Sequence, residues 1–269
     1  MHQESTMSTN PIGMGEQDQA EREKFENELK RILEASTKSG VTLRVIGSLA
    51  FQMHCPKHGY LQAAMGRAYT DIDFAGYRRQ ARDVSALMSG LGYDEEREVF
   101  IVSEGDRSIF NHPTNGLHVD VFYDKLDFSH TVSWVDRLEV DHPTIPLAEL
   151  LLEKMQIFQI NEKDIIDTIM LLLEHPLGGT DNEEINVKRV AQILSRDWGL
   201  WRTATMNLGK VKKMAGLYSQ LTQNQQTFVA NQVDQALSII ESEPKTTAWK
   251  LRARVGDRVK WYKDVDEVH

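Results

Sequence analysis

The sequence predicts an α+β protein in which a mixed sheet with flanking helices precedes an all-helical C-terminal region. Short β-branched and alternating apolar runs between residues 41 and 123 indicate strands. After Pro146 the apolar residues recur at helical spacing as far as residue 263. The 269 residues are 41% hydrophobic and 26% charged, a globular composition that excludes a disordered or collagen-like chain.

The predicted elements of the first part alternate between helix and strand. Apolar residues at helical spacing predict a helix over 16–38, which Gly40 ends. A buried strand over 41–46 leads into a helix over 49–54, and alternation predicts a strand over 69–74. A helix over 78–91 ends at Gly92, and further strands are predicted over 98–102, 108–111 and 117–123.

The second part carries helical periodicity throughout. Helices are predicted over 147–159, 163–174, 185–195, 198–221, 224–241 and 247–263. Thr180 and Glu183 have the spacing of a capping box for the third of these helices. The predicted organisation is a disordered tail at 1–15, a core at 16–145 and a helical domain at 146–269, with a possible sub-boundary near 176–184.

Charge is unevenly distributed along the chain. Residues 1–187 carry 17 basic and 32 acidic side chains, whereas residues 188–269 carry 14 basic and 8 acidic ones. An acidic body needs cations, often metal ions, where it handles phosphates, and a basic region can meet a polyanion such as RNA. Aromatic residues among the cations of 245–263 suit RNA binding, and equally suit tryptophans packed inward with arginines outside.

Compartment and membrane contact are predicted from what the sequence contains. No apolar run approaches the roughly 18–20 residues of a membrane-spanning helix, and the first twenty residues are polar. The single cysteine, Cys55, cannot form an internal disulfide. We therefore expect a cytoplasmic protein without membrane contact.

Carboxylates at alternate positions mark the run TDIDF at residues 70–74. Asp71 and Asp73 are two apart, and residues i and i+2 of a strand point to one face of a sheet. Two such carboxylates repel each other unless a divalent cation lies between them. Because hard oxygen ligands suit Mg²⁺ and Mn²⁺, the pair predicts a site for one of these ions.

Two other segments could complete such a site. Asp120 lies between apolar residues in HVDVF at 118–122, and a third carboxylate on a neighbouring strand would allow two ions. One ion would activate an attacking hydroxyl, and the other would steady a leaving pyrophosphate. Gly47 and Ser48, between a strand and a helix, supply N–H groups and a hydroxyl on which a triphosphate could rest.

This order of parts resembles the DNA polymerase β-like nucleotidyltransferase superfamily over roughly residues 40–175. Its signature is an apolar residue, Gly, then Gly or Ser, a spacer, an Asp-x-Asp flanked by apolar residues, and later a single Asp between apolar residues. The resemblance implies a nucleotidyltransferase-like sheet in which Asp71 and Asp73 hold both metal ions. It also implies that Asp120 ligates the catalytic ion and helps to deprotonate the acceptor, and that Gly47 and Ser48 contact the nucleotide.

A downstream match is similar to the AbiEii-type toxin and antibiotic-modifying branches of that superfamily. Lys154 precedes the run Lys163-Asp164-x-x-Asp167, which matches their Lys…(Arg/Lys)-Asp-x-x-Asp helical motif. The resemblance implies that Lys154 faces the nucleotide phosphates and that Asp164 and Asp167 position the acceptor. From the residues alone, Lys154 could equally be a surface lysine, and the two acids could simply favour a helix start.

Two departures from the family pattern are visible. Ser48 and Asp71 are 23 positions apart, a longer spacer than usual, which predicts an insertion around 54–66. The arginine that these branches often carry before the acidic pair is absent, because Ile160 and Asn161 stand there. Arg67, four positions before Asp71, resembles an arginine found ahead of the Asp-x-Asp in many members and implies a second phosphate contact.

The resulting functional hypothesis is a nucleotidyltransferase that uses two Mg²⁺ or Mn²⁺ ions. It would move a nucleoside monophosphate from an NTP to an acceptor hydroxyl and release pyrophosphate. The acceptor would be an RNA 3′ end, such as that of tRNA and bound through the basic region 188–263, or a small molecule such as an antibiotic. An inhibitory partner protein is a further possibility from the toxin-like resemblance. The alternatives are a catalytically inactive nucleotide-binding or partner-binding protein of the same fold, and an unrelated α+β scaffold.

Overall fold

The computed structural model describes residues 16–65 and 69–265, with side chains from residue 20 onward. The predicted tail at 1–15 and Arg67 lie outside these described residues. At the centre is a mixed sheet with the strand order β1-β2-β5-β4-β3. Strands β2 and β5 are parallel, and the other neighbouring pairs are antiparallel. The strands are β1 (Leu43–Ile46), β2 (Ile72–Gly76), β3 (Asp94–Glu95), β4 (Arg107–Asn111) and β5 (His118–Tyr123).

Five helices precede or interrupt this sheet in the sequence. Helix α1 buries Phe25, Leu29 and Ile32, as its predicted periodicity requires. The insertion predicted around 54–66 includes a short helix at residues 60–64, which follows the end of α2. The five are α1 (Glu16–Ser39), α2 (Gly47–His54), α3 (Tyr60–Ala64), α4 (Ala81–Gly90) and α5 (Arg97–Val102).

The C-terminal region is mostly helical, as predicted, but it is not entirely so. A two-stranded hairpin, β6 (Lys125–Asp127) and β7 (Thr131–Ser133), lies before this region, within the predicted core at 16–145. Two short parallel strands, β8 (Leu177–Gly178) and β9 (Ile185–Asn186), interrupt the helices, so the expectation of an all-helical region is wrong there. The helices are α6 (Leu147–Met155), α7 (Glu162–Glu174), α8 (Val187–Leu194), α9 (Trp198–Ala215), α10 (Gln223–Ser242) and α11 (Thr247–Val255).

Three local predictions are wrong for identifiable reasons. The apolar run at 98–102 forms α5 rather than a strand, because Phe100 packs on Tyr123 while the next two residues face solvent. The side chain of Asn186, not that of Thr180, caps α8. The helix predicted over 247–263 ends at residue 255, since Gly256 adopts a left-handed φ of 61°.

One continuous set of buried apolar side chains runs through both parts of the chain, from α1 to α10. The segment before α6 lies against the sheet, because the Val45 N–H donates to the Pro143 carbonyl at 2.9 Å. This contact brings α6 beside the start of α2. The predicted division of the chain near residue 145 stays a prediction.

Glu149 on α6 is a buried acid that ties three segments together. Arg137 donates to it through Nε and Nη2 at 2.8 and 3.2 Å, and Arg189 on α8 donates to it as well. The side chain of Glu149 is fully buried. Removing it would leave two partly buried guanidinium groups without their shared partner.

We expect Glu149→Ala to lower the free energy of unfolding by about 3–5 kcal/mol, the usual effect of breaking a buried ion pair. Urea unfolding at pH 7 measures this change. The control is Asp234→Ala, which breaks an exposed pair with Lys212 and should cost less than about 1 kcal/mol. Equal effects of the two variants would contradict a structural role for the Glu149 pairs.

Candidate active site

A cleft of about 310 Å³ lies where the sheet meets α2, α6 and the start of α7. Its size falls within the range of small-molecule sites. Most of the residues that the sequence singled out contribute to its wall. These are Gly47, Ser48, Asp71, Asp73, Asp120, Lys154 and Asp164.

The two neighbouring parallel strands place the predicted carboxylates together. Asp73 on β2 is in direct register with Asp120 on β5, so their side chains lie on the same face of the sheet. Asp71 immediately precedes β2 and also lines the cleft. The alternate residues Ile72 and Phe74 are fully buried on the opposite face, which confirms the alternation predicted for this strand.

Gly47 allows the turn into α2 to approach Asp73 closely. It adopts a left-handed φ of 67°, and a Cβ built on it would overlap the Asp73 carboxylate. Its N–H donates to Glu153 Oε2 at 3.2 Å. Glycine is therefore required here both for its φ and for the lack of a side chain.

Lys154 is not a surface lysine, which was the alternative that the sequence left open. Its side chain is 7% exposed, and Nζ lies 3.1 Å from Glu153, 3.3 Å from Asp164 and 3.6 Å from Asp167. The ammonium also sits 5.2 Å from the ring centroid of Phe51. Lys154 therefore compensates several acids at once and joins α6 to α7.

The two acids of α7 have different surroundings. Asp167 is fully buried and accepts a hydrogen bond of 2.8 Å from Gln62 Nε2, so it lies beneath the cleft rather than in its wall. Asp164 lines the cleft, and its Oδ2 is buried without a hydrogen-bond partner among the described residues. Of these two acids, Asp164 is therefore the one that a molecule in the cleft could contact. The Asp164 N–H donates to Asn161 Oδ1 at 2.9 Å, and this hydrogen bond caps the start of α7.

Arg107 on β4 holds the third predicted carboxylate. Its Nε donates to Asp120 Oδ1 at 2.8 Å and its Nη2 donates to Oδ2 at 2.6 Å, a side-on bidentate pair. His118, two residues before Asp120 on the same strand, brings Nε2 to 3.9 Å from Oδ2. Burial alone would lower the pKa of Arg107, but the hydrogen bonds to Asp120 outweigh that effect and raise it.

Negative charge exceeds positive charge in the wall of the cleft. Among the residues that the structure describes, five carboxylates face three cations there, a formal excess of two negative charges when all are ionised. Neither Asp71 nor Asp73 forms an ion pair among the described residues. The carboxylates are Asp71, Asp73, Asp120, Glu153 and Asp164, and the cations are Arg107, Lys154 and Lys163.

Burial and neighbouring charge change the pKa values of two acids in this wall, Asp73 and Glu153. Burial raises the pKa of Asp73 well above the ordinary aspartate value, and the charges of Asp71, Asp120 and Glu153 raise it further. Burial also raises the pKa of Glu153, although Lys154 and the Gly47 N–H oppose the shift. The metal-free cleft therefore favours keeping a proton on one of its acids.

The donor chemistry of the cleft suits a hard divalent cation. Asp71, Asp73 and Asp120 are oxygen donors of the type that Mg²⁺ prefers, and their excess charge matches its own. Yet among residues 16–65 and 69–265 no three acidic, histidine or cysteine side chains are grouped closely enough to hold a metal ion. In this arrangement the bidentate pair with Arg107 engages both oxygens of Asp120.

Sequence patterns did not identify Arg107, Glu153 or Gln62 as members of the site. Arg107 reaches Asp120 diagonally across the β4–β5 pairing, in which Ile109 is the direct partner of Asp120. Only the strand register reveals that approach. Glu153 stands beside Lys154 in the sequence, and that adjacency was the one available signal. The predicted phosphate contact Arg67 cannot be placed, since it lies outside the described residues.

The aromatic residues of the basic C-terminal region are half-buried and pack against other aromatic side chains. Trp249 packs edge-on against Trp201, with ring centroids 5.0 Å apart, and Tyr262 stacks on Phe158 at 3.5 Å. The Trp261 Nε1–H donates to Thr203 Oγ1 at 3.1 Å. This packing agrees with the interpretation of inward-facing tryptophans, and binding of RNA by this region stays a prediction.

Comparison with protein-family models, with curated proteins and with solved structures finds no match for this chain. Within the described part of the chain, no helix combines the length and apolar character needed to cross a membrane.

We expect Gly47→Ala to destabilise the protein by about 1–3 kcal/mol, because the new methyl group adds left-handed strain and displaces Asp73. Chemical denaturation measures the change. Gly90→Ala is the matched control, since its Cβ would meet open space at the end of α4. An unchanged unfolding midpoint for Gly47→Ala would show that the turn does not need glycine.

We expect Asp73→Asn to stabilise the metal-free protein at neutral pH. A carboxyl whose pKa is raised on folding costs stability as the pH rises from its unfolded pKa, near 3.9, through its folded pKa. The wild type should therefore lose more stability across that window than the variant, which keeps only the contribution of Glu153. Each 1 kcal/mol corresponds to roughly 2–4 °C in Tm for a chain of this size.

Thermal unfolding between pH 4 and pH 8, in chelator, tests this expectation. Asp83→Asn is the control, because Asp83 is exposed in the first turn of α4. Parallel pH profiles for wild type and Asp73→Asn would contradict the raised pKa of Asp73.

Proposed function

We propose that this protein is a metal-dependent nucleotidyltransferase with a nucleotidyltransferase-like fold. The observation that carries the proposal is the convergence of Asp71, Asp73 and Asp120 with the Gly47–Ser48 turn on one cleft. Adjacent parallel strands supply the carboxylates in register, and the wall has an excess of negative charge. An acidic cleft of this kind handles phosphates only when cations are bound.

Asp71, Asp73 and Asp120 would hold two Mg²⁺ or Mn²⁺ ions. Such ions activate an attacking hydroxyl and neutralise the charge of a leaving pyrophosphate. Asp73 is the central ligand in this assignment, because it is two residues from Asp71 and in direct register with Asp120 on the neighbouring strand.

The nucleotide's phosphates would lie against the start of α2. Ser48 lines the cleft at the first turn of that helix, whose N-terminus favours anions. Lys163 is an exposed cation on the cleft wall and is better suited to a phosphate than Lys154, which already compensates three acids. The family resemblance adds Lys154 and Arg67 as phosphate contacts.

Asp164 is the residue best suited to position the acceptor. Its unpartnered Oδ2 could accept a hydrogen bond from a hydroxyl group in the cleft. Asp167, which the resemblance also assigns to the acceptor, is engaged by Gln62 and Lys154 and would act by holding that lysine.

In the proposed reaction the acceptor oxygen forms a bond to the α-phosphorus of an NTP. The bond from that phosphorus to the bridging oxygen of the β-phosphate breaks, and pyrophosphate leaves. The hydroxyl proton passes to a carboxylate of the cleft, which is Asp120 in the assignment implied by the resemblance. Alignment and charge neutralisation supply most of the rate in phosphoryl transfer of this type.

Both classes of acceptor stay open in this proposal. An RNA 3′ end would use the basic region 188–263, and a cationic antibiotic would suit the acidic cleft. Inhibition by a partner protein and a cytoplasmic location also remain predictions.

One observation favours the alternative, a catalytically inactive nucleotide-binding protein. Arg107 engages both oxygens of Asp120 and could substitute for a metal ion permanently. Such a protein would bind nucleotide without transferring any part of it.

The test is transfer of label from each of four α-³²P-labelled NTPs, with Mg²⁺ or Mn²⁺, to total RNA and to aminoglycosides and lincosamides. We expect labelled acceptor with wild type and at least a roughly hundredfold lower rate with Asp73→Asn, because charge stabilisation at the reacting phosphate is lost. Chelation of the metal should abolish the signal.

Asp83→Asn, which removes an exposed acid of α4, should retain wild-type transfer. Transfer that survives in Asp73→Asn would refute the assignment of the site. Equal nucleotide binding by wild type and variant, with no transfer by either to any acceptor, would favour the inactive alternative.

A further inference from the structure

Arg107 is a charged residue of the cleft wall to which the proposed reaction gives no role. It stands at the first position of β4, and its side chain is about one-quarter exposed, whereas that of Asp120 is only 5% exposed. The guanidinium lies 5.1 Å from the ring centroid of Phe122, the direct partner of Arg107 on β5. The guanidinium therefore lies beside this ring while it pairs with Asp120.

The geometry of this pair uses the whole carboxylate. Nε and Nη2 meet separate oxygens at 2.8 and 2.6 Å. A cation approaching Asp120 would meet a positive charge already seated on both oxygens, and like charges this close repel strongly. The pair with Arg107 therefore hinders Asp120 from sharing a cation with Asp71 and Asp73. Neither Asp71 nor Asp73 has an ion-pair partner among the described residues.

The pair between Arg107 and Asp120 also stabilises the metal-free protein. Asp120 is buried beside Asp73, and a buried carboxylate without a counter-charge is costly. Arg107 supplies that counter-charge from within the sheet. The same cleft wall contains both residues, so a displaced guanidinium would remain in the cleft.

We propose that Arg107 is a resident counter-ion that competes with a divalent cation for Asp120. Binding of the cation displaces the guanidinium, and loss of the guanidinium makes the cation bind more tightly. This inference rests on the proposed function only in taking Asp120 as a metal ligand. It differs from a purely structural ion pair, which would affect stability without affecting metal affinity through Asp120.

Binding of Mn²⁺ alone to the full chain, followed by the electron paramagnetic resonance of the free ion, tests the competition. We expect Arg107→Gln to bind Mn²⁺ at least threefold more tightly than wild type, and Arg107→Lys to lie between them. In the double variant Arg107→Gln/Asp120→Asn the gain should disappear, because it depends on the released carboxylate.

Arg78→Gln is the matched control for the loss of one positive charge. Arg78 follows the far end of β2, is exposed and pairs with Asp106. Its Mn²⁺ affinity should stay within twofold of wild type. An equal gain in Arg78→Gln would show a general charge effect and overturn the competition.

Thermal unfolding gives a second test with two expected changes in Tm, one in chelator and one in saturating Mn²⁺. In chelator, Arg107→Gln should have a lower Tm than wild type, because Asp120 has lost its counter-charge. Saturating Mn²⁺ should raise the Tm of the variant by more than it raises that of wild type. If Arg107→Gln does not fold, Arg107→Lys decides the question by the same two measurements.

The outcomes separate this inference from the proposed function. Mn²⁺ binding by wild type that Asp73→Asn abolishes, with no tightening in Arg107→Gln or Arg107→Lys, overturns the competition and leaves the proposed function standing. Absence of Mn²⁺ binding in wild type and in every Arg107 variant overturns both.

Discussion

Burial of acidic side chains is the constraint on which the rest of this structure depends. Moving a carboxylate out of water is costly unless a cation or several hydrogen-bond donors replace the lost hydration. Most of the buried acids here lie beside a lysine or arginine. Lys154 joins the acids of α6 and α7, and Glu149 joins Arg137 to α8. These pairs connect the helices around the cleft to one another and to the segment that contains Arg137.

The cleft differs from the other acidic clusters in being incompletely compensated. Asp71 and Asp73 have no ion-pair partner among the described residues, and burial with neighbouring charge raises the pKa of Asp73. A protein tolerates such an imbalance when a cation is bound for part of its working cycle, or when the group must exchange protons. The pair between Arg107 and Asp120 limits the imbalance in the absence of metal. In the proposed competition, loss of the Arg107 guanidinium lowers the stability of the metal-free protein and raises its affinity for a divalent cation.

Local patterns predicted most elements, and their failures have a common cause. Alternation identified β2 and β5, and helical spacing identified α1 and the main C-terminal helices, because each has one face in the core. The run that forms α5 is as apolar as a buried strand, but Phe100 packs inward while Ile101 and Val102 are exposed. Its apolar composition therefore predicted more burial than the structure shows. The strands β8 and β9 are two residues long, too short for any periodicity to be detected.

By itself, the sequence determined that Asp71 and Asp73 stand two positions apart in an alternating run, which on a strand places both side chains on one side. Asp120 and Gly47 were added to the same predicted site by the order of the motifs and by the family resemblance. Only the tertiary structure decided that Arg107 pairs with both oxygens of Asp120. It also decided that Asp164 lines the cleft and that Asp167 does not. Those facts depend on strand register and on how α7 packs, which are contacts between residues far apart in the chain, and no local pattern encodes them.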